Sequence, residues 1–359
     1  MKNTALLIIL FFAGLTAFSQ KTILRLARIP GYLTLAGDFH IHTIFSDGEV
    51  WPAVRLDEAE KTGLDIIAFT DHIEYQPHKD FVSTDLNAAW KIASEEGRKR
   101  DIIVVHGAEI TRKMPPGHFN ALFINDAGKL TDPDFMKVME AAIAQGAFIQ
   151  WNHPGWKGQR PDGIPRMDSI HKVLIGKGWM HGIEIYNYNE FYPDVMNWCL
   201  DHNLTMMGNS DIHGPLGTEY AGRENAHRPI TLVFAKSRSE KDVKEALMSG
   251  RTLVWFGDTL AGKNELASLF FLNSIETGKP YFSEGENTYR YITNKTDIPF
   301  HISIIRSEPG KAPLRLSLPA NSASRLKLSK DFGNLLHATV DNILIGKGEV
   351  LKVDLMLEE

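Results

Sequence analysis

Seven short apolar runs, most of them leading into a histidine or a carboxylate, constrain this chain more than any other feature. They are Leu33–Phe39, Asp65–Thr70, Ile102–Ile110, Phe119–Ile124, Ala147–Asn152, Gly182–Tyr186 and Thr205–Gly208. Stretches of helical period lie between and after them, at Trp51–Thr62, Leu86–Arg100, Pro133–Gln145, Met167–Gly176, Tyr192–His202 and Ser239–Met248. Segments such as AFIQW and IIVV are continuously apolar, as expected of parallel strands buried on both faces. A β-α alternation repeated about seven times predicts an α/β fold, either a barrel or a doubly wound sheet. Thr131-Asp132-Pro133 predicts a helix whose first position is Pro133.

The titratable residues fall at one end of these runs. His40-Ile41-His42 puts two imidazoles at i and i+2, on one face of a strand and within reach of one metal. Asp71-His72 ends DIIAFT, Glu109 closes IIVVHGAE, His118 opens the run after MPPG, and His153 follows FIQWN. Asp211 and His213, again i and i+2, follow TMMGNS. Six of the 14 histidines are placed this way, together with Asp47, Glu109 and Asp211. The C-terminal ends of strands are where α/β barrels collect their catalytic side chains. A single cysteine, Cys199, leaves only His, Asp and Glu to bind metal and excludes an intrachain disulfide. With 39 basic against 44 acidic residues, the chain lacks the positive excess of a nucleic-acid scaffold.

Two flanking regions differ in texture. Met1–Gln20 has Lys2, an apolar stretch from Ala5 to Phe18, and Ala17-Phe18-Ser19 before Gln20, which predicts a cleaved signal peptide over residues 1–19. The mature chain is then expected to be exported, periplasmic or secreted, with no membrane span. From about Leu269, Asn, Ser, Thr and Pro punctuate short alternating runs, which predict a small all-β, sandwich-like domain over residues 269–359. Gly257–Ala267 is the expected junction, and residues 20–262 the catalytic unit.

HIHTIFSDG, TDH, GAEI with a later His, NHP and SDIH together resemble the PHP family (polymerase and histidinol phosphatase), from roughly Leu35 to Phe256. The resemblance implies a distorted (β/α)7 TIM-like barrel holding two or three divalent metal ions. It further implies that His40, His42, Glu109 and Asp211 hold the first ion and that Glu109 bridges to a second held by His118 and His153. Asp47, His72 and His213 would hold a third; some members have His where this chain has Asp47. The donor set suits Mn, Zn or Fe(II), and the resemblance favours Mn. HRPITLVFA…EALMSGRTLVWFGDTLAGK and the β-region resemble a branch of phosphodiesterases that act on organophosphate diesters. The implied chemistry is in-line attack on phosphorus by a metal-bridging hydroxide. Glu109 would hold the two ions together, and Asp211 or a metal-bound water would serve as acid. The alternatives are a phosphomonoesterase of histidinol-phosphatase type and a non-catalytic, metal-loaded binding module.

A phosphoester substrate also calls for cationic handles. Arg112 and Arg228 are the candidates for substrate binding, with Lys113 beside Arg112 after Glu109 and with Lys157 and Arg160 after the NHP run end. Trp156 and Tyr188 could line an apolar ester pocket. Asp71 either orients an imidazole or caps a helix. His106 is out of phase with Glu109 and should face the helices, and Cys199 should be core. The oligomeric state stays open.

Overall fold

The computed structural model describes residues 22–220, 227–306, 311–329 and 332–358, so the expected signal peptide lies outside the described residues. The first strands are β1 (Leu33–Ile41), β2 (Ile66–Phe69), β3 (Ile103–Ile110), β4 (Phe119–Leu122), β5 (Phe148–Trp151), β6 (Gly182–Asn187), β7 (Glu190–Phe191) and β8 (Thr205–Asn209). The accompanying helices are α1 (Pro52–Thr62), α2 (Ala88–Lys99), α3 (Phe135–Ala144), α4 (Ser169–Gly176) and α5 (Pro193–Asp201). Neighbouring strands run β1-β2-β3-β4-β5-β6-β8. All these pairings are parallel except the two made by β4, which is antiparallel to both β3 and β5. The chain after β8 then returns to β1: Asp211 N–H donates to the His40 carbonyl at 2.8 Å, and His42 N–H to that of Ile212 at 3.1 Å.

The reversal of β4 matters for the site. An antiparallel strand begins where its neighbours end, so His118, just before β4, comes to the same rim as Glu109 and His153.

Side chains inside this strand run are layered. Phe39, Ile66, Val105, Leu122, Phe148 and Met207 form an apolar floor, each removal from water contributing about 2–3 kcal/mol. Asn120, Gln150, Glu184 and Asn209 lie above it in a buried polar layer. The histidines and carboxylates of the rim come next. The register of β1 against β2 slips between Asp38 and Ile41, a bulge. It lets both Phe39 and His40 point inward and sets His40 and His42 on the rim, a common use of bulges beside active sites. The opposite faces carry Ile67 and Phe69 against Leu56 and Ala59 of α1 and Ala93 of α2.

After α6 (Leu216–Glu219), strand β9 (Ile230–Ala235) pairs antiparallel with the first half of β1. Next come α7 (Glu240–Met248), β10 (Thr252–Phe256), β11 (Thr259–Gly262) and α8 (Asn264–Ser274). The remaining strands are β12 (Ile275–Thr277), β13 (Phe282–Glu284), β14 (Asn287–Asn294), β15 (Phe300–Ile304), β16 (Leu314–Leu318), β17 (Ser322–Ser329), β18 (Leu335–Gly346) and β19 (Glu349–Met356). β12, β13, β14 and β17 make one sheet; β15, β16, β18 and β19 join the main sheet through parallel pairing of β18 with β11. Ile292, Leu326 and Leu328 from the first pack in one core with Phe300, Val340 and Leu351 from the second.

Two local expectations need correction. The third helix starts at Phe135 with Asp134 as its cap, its carboxylate accepting from Met136 N–H, rather than at Pro133. The expected junction is not a bare linker. Residues 259–262 are β11, and a helix runs to Ser274 because Ala267, Phe270, Phe271 and Ser274 recur at helical spacing and are buried. Among the described residues no helix is long and apolar enough to cross a membrane.

Candidate metal centre

The nine residues singled out at the strand ends converge on one rim. His40 Nε2 and His42 Nε2 each lie 3.0 Å from Asp211 Oδ1, and 3.5 Å from Glu109 Oε1 and Oε2 respectively. On the far side of Glu109, His118 Nδ1 is 3.1 Å from Oε1, and His153 Nε2 is 3.5 Å from the same atom. His72 Nδ1 is 2.9 Å from Glu109 Oε2, while its Nε2 is 3.4 Å from Asp47 Oδ1. His213 Nε2 also lies 3.4 Å from Asp47 Oδ1, and its ring stacks on that of His42 at 4.2 Å. Glu109 is therefore central, with an imidazole approaching from each side.

These separations match the chemistry of a shared cation. Two donors each about 2.1 Å from one ion, at octahedral or tetrahedral angles, lie roughly 3.0–3.4 Å apart. Among the described residues four groups could hold an ion: His40, His42 and Glu109; His40, His153 and Asp211; His72, Glu109 and His118; and His42, Asp47, His72 and His213. The grouping differs from the implied one. His42 belongs as much with Asp47, His72 and His213 as with His40, and His72 faces both Asp47 and Glu109. Glu109 Oε2 supplies the test of fit. It is buried with no properly directed hydrogen bond, although two ring nitrogens face it. A buried carboxylate oxygen costs free energy unless satisfied, and a cation satisfies it.

Without metal the cluster is electrostatically lopsided. Burial opposes charge on Glu109, but His72, His40 and His118 hold its carboxyl well below the usual range. Asp211 is likewise held well below that range against burial, chiefly by His40. Burial, with His213 and His72, pushes His42 down to about 3. His72 rises to about 10, against burial, through Glu109 and Asp47. His213 rises to about 9, again against burial, through Asp47 and Asp211.

The backbone around the cluster is strained and tightly held. His153 and Asp211 have φ of 28° and 50°, in a region that non-glycine residues seldom adopt. Asp71 accepts from Thr43 N–H at 2.7 Å and from the hydroxyls of Thr43 and Ser46 at 2.8 Å. It pins the loop that carries Asp47, rather than orienting an imidazole or capping a helix. Gly48 has a steric reason: a Cβ there would sit 2.6 Å from the His42 carbonyl carbon and Thr43 nitrogen.

A cleft of about 450 Å³ opens over the cluster. Its lining includes Trp156, Tyr188, Asn187, Asn189, Glu190 and Glu219 beside seven of the rim residues. The two proposed cationic handles do not reach it. Arg112 is ion-paired with Glu74 and donates to the Asp132 carbonyl at 2.8 Å. Arg228 is fully buried between Asp38 at 3.3 Å and Glu58 at 3.7 Å. Arg160 pairs with Asp168. His106 faces α2, its ring stacked on Trp90 at 4.2 Å. Cys199 is buried in α5.

The sequence reading passed over Glu184. Its Oε1 lies 2.9 Å from His40 Nδ1, and its Oε2 accepts from His153 N–H at 2.7 Å. The available signal was an acid between Ile183 and Ile185, at an inward position of a strand with no exposed face. Arg55 was also passed over.

A strand scaffold with His and carboxylate donors gathered at one rim suits a metal-dependent hydrolase. The crystal structure of a two-domain protein from Bacteroides vulgatus, described as containing a predicted PHP-like metal-dependent phosphoesterase, superimposes with a TM-score of 0.88. It is 37% identical in sequence, and the alignment covers 94% of this chain and 99% of that one. This chain belongs to the PHP-like metal-dependent phosphoesterases. An uncharacterized protein of Methanocaldococcus jannaschii is 41% identical over 81 residues, which span 22% of this chain and 34% of that relative. No family model matches the chain.

Proposed function

We propose that this chain is an exported phosphodiesterase whose divalent ions are held by His40, His42, Asp47, His72, Glu109, His118, His153, Asp211 and His213. The observation that carries the preference for diesters is the charge of the cleft. Among the described residues its lining contains five carboxylates (Asp47, Glu109, Glu190, Asp211 and Glu219) and no Lys or Arg. A monoester brings nearly two negative charges at neutral pH and is ordinarily met by Arg or Lys. A diester brings one. Glu190 and Glu219, standing outside the proposed donor set, disfavour the second charge further.

Divalent ions in such a cage, with Mn favoured and Zn or Fe as alternatives, supply a water acidic enough to attack at neutral pH and positive charge against phosphoryl oxygens. The chain's own residues do the rest. Glu109, reached from both sides, sets the spacing between the two halves of the centre. The low pKa of Asp211 suits a charged ligand better than a proton donor. Trp156 and Tyr188 offer apolar surface to an ester group beside the reacting centre. The closed hydrogen bonding from β8 to β1 supports reading the scaffold as a distorted (β/α)7 barrel. The two-layered β-region after α8 supports a sandwich-like domain whose strands begin at Ile275, past the expected boundary at residue 269. Export rests on the sequence of residues 1–19.

The test compares turnover of a phosphodiester and a phosphomonoester with the same aryl leaving group, on protein reconstituted with Mn. The diester should turn over with the higher kcat/KM. Preference for the monoester overturns the reading in favour of a histidinol-phosphatase-like activity.

A further inference from the structure

Arg55, in α1, is completely buried, yet all five of its N–H groups find acceptors. Nε donates to the His42 carbonyl at 2.9 Å. Nη1 donates to Glu58 Oε2 at 2.8 Å and the Gly214 carbonyl at 2.9 Å. Nη2 donates to the carbonyls of Ile212 at 3.1 Å and His213 at 2.6 Å. One planar group thus ties the end of β1 to the loop after β8, elements that are far apart in sequence and that each deliver an imidazole to the rim.

Its neighbours hold the same loop at other points. Asp38 accepts from Ser210 N–H at 3.1 Å and from the Ser210 hydroxyl at 2.5 Å. Glu58 Oε1 accepts from Leu216 N–H at 2.7 Å. Arg228 lies between Asp38 and Glu58. Ser210, Ile212, His213, Gly214 and Leu216 are each bound to a buried charged side chain, while the Asp211 side chain is left facing the cluster. Glu219 secures the loop's other edge, accepting from His213 N–H at 3.0 Å and from Gly214 N–H.

We propose that Arg55 is a positioning residue that sets the affinity of the outer ion, the one reached by His42, Asp47, His72 and His213. The inference rests on the phosphoester-hydrolase reading, in that it requires the cluster to hold metal. The physical reason is geometric. Stacking of His42 on His213, and the approach of both to Asp47, depend on the relative placement of two chain segments, and Arg55 fixes that placement with a rigid fork. Lysine would keep the charge but offers three donors from one nitrogen, which cannot span four carbonyls and a carboxylate. The inner donors His40, His118 and His153 take no contact from Arg55.

The experiment is Mn binding by equilibrium dialysis and elemental analysis on wild type, Arg55→Lys, His213→Ala and the double variant. Wild type should bind with at least two distinguishable affinities. Arg55→Lys should weaken the looser class by about 10–100-fold and the tighter class, which shares His42 and Asp211 but also holds His40 and Glu109, by clearly less. His213→Ala should affect the same class, and the double variant should lose little more than His213→Ala alone. Unchanged binding in Arg55→Lys overturns the proposal, as does an equal loss at every ion, which would mark a general structural role. Glu58→Gln keeps an acceptor for Leu216 while loosening Arg55. It serves as the second variant if Arg55→Lys does not fold, with a smaller loss expected in the same class and the same outcomes decisive. A folded wild type that binds no metal overturns the hydrolase reading itself, and the proposal with it.

Discussion

His40 Nδ1 and Glu184 Oε1 lie 2.9 Å apart, with neither side chain exposed to solvent. The contact places the ring proton on Nδ1 and turns the Nε2 lone pair towards Asp211 and Glu109. Glu184 is itself fixed by Gln150 at 3.1 Å and by Asn187 and Asn209 at 2.9 Å, and its second oxygen holds the backbone of His153. One carboxylate outside the rim thus orients two of its residues.

Glu184→Ala should therefore lower metal affinity by about 10–100-fold. It also leaves the N–H groups of His153 and of two or three amides without a partner, costing about 2–4 kcal/mol of stability. Dialysis against graded Mn and urea unfolding measure the two effects. Wild-type metal affinity in this variant contradicts the orienting role.

Metal binding should release protons. His72 and His213 titrate at about 10 and about 9 in the metal-free chain, above the ordinary imidazole value, so both are protonated at pH 8. An ion must displace those protons, so its affinity should rise with pH until the window around 9 to 10 is passed. The same shifts stabilise the metal-free fold fully below about pH 6.5, and that contribution is lost as pH rises through 9 and 10. His40 and His153 are raised as well, so calorimetric titration at pH 8 in two buffers of different ionisation heat should give at least two protons released per chain filled. Zero proton release contradicts the assignment of these rings as donors.

Gly48→Ala should displace the loop that carries Asp47, because the added carbon meets backbone that Asp71 holds in place. The expected cost is about 1–3 kcal/mol in stability, together with weaker binding of the outer ion. Thermal unfolding with and without Mn tests this: the gain in Tm on adding metal should shrink in the variant. An undiminished gain contradicts it.

Acid should act through a residue remote from the metals. Burial lowers His106 to about 4, and neither ring nitrogen has a hydrogen-bond partner. Between roughly pH 6.5 and 4 the unfolded chain takes up that proton and the folded chain does not, so stability falls as pH falls through this window. His106→Phe keeps the stack on Trp90 and should gain on the order of 2 kcal/mol at pH 4.5 relative to its effect at pH 8. Equal effects at both pH values in urea unfolding contradict this account.

The rim was legible in the sequence because its residues sit at the ends of short apolar strands, where period-2 geometry and chain position speak together. His40 with His42, and Asp211 with His213, announce themselves by spacing. The supporting residues do not. Arg55 sits on an amphipathic helix where an arginine reads as surface, and its partners are mostly carbonyls that no side-chain pattern encodes. Arg228 suggested a phosphate clamp for want of any sign that Asp38 and Glu58 would enclose it. Strand direction was equally hidden: nothing in FNALFIN distinguishes the reversed β4 from its parallel neighbours. The helix over Asn264–Ser274 was missed because Asn and Ser near its ends resembled the punctuation of the β-region.

The most direct measurement is hydrolysis of an aryl phosphodiester by protein freed of metal with a chelator and then given back Mn or Zn. Turnover should vanish on removal and return with the ion in wild type, and should not return in Glu109→Ala. Undiminished turnover after elemental analysis shows the protein to be metal-free would contradict the account.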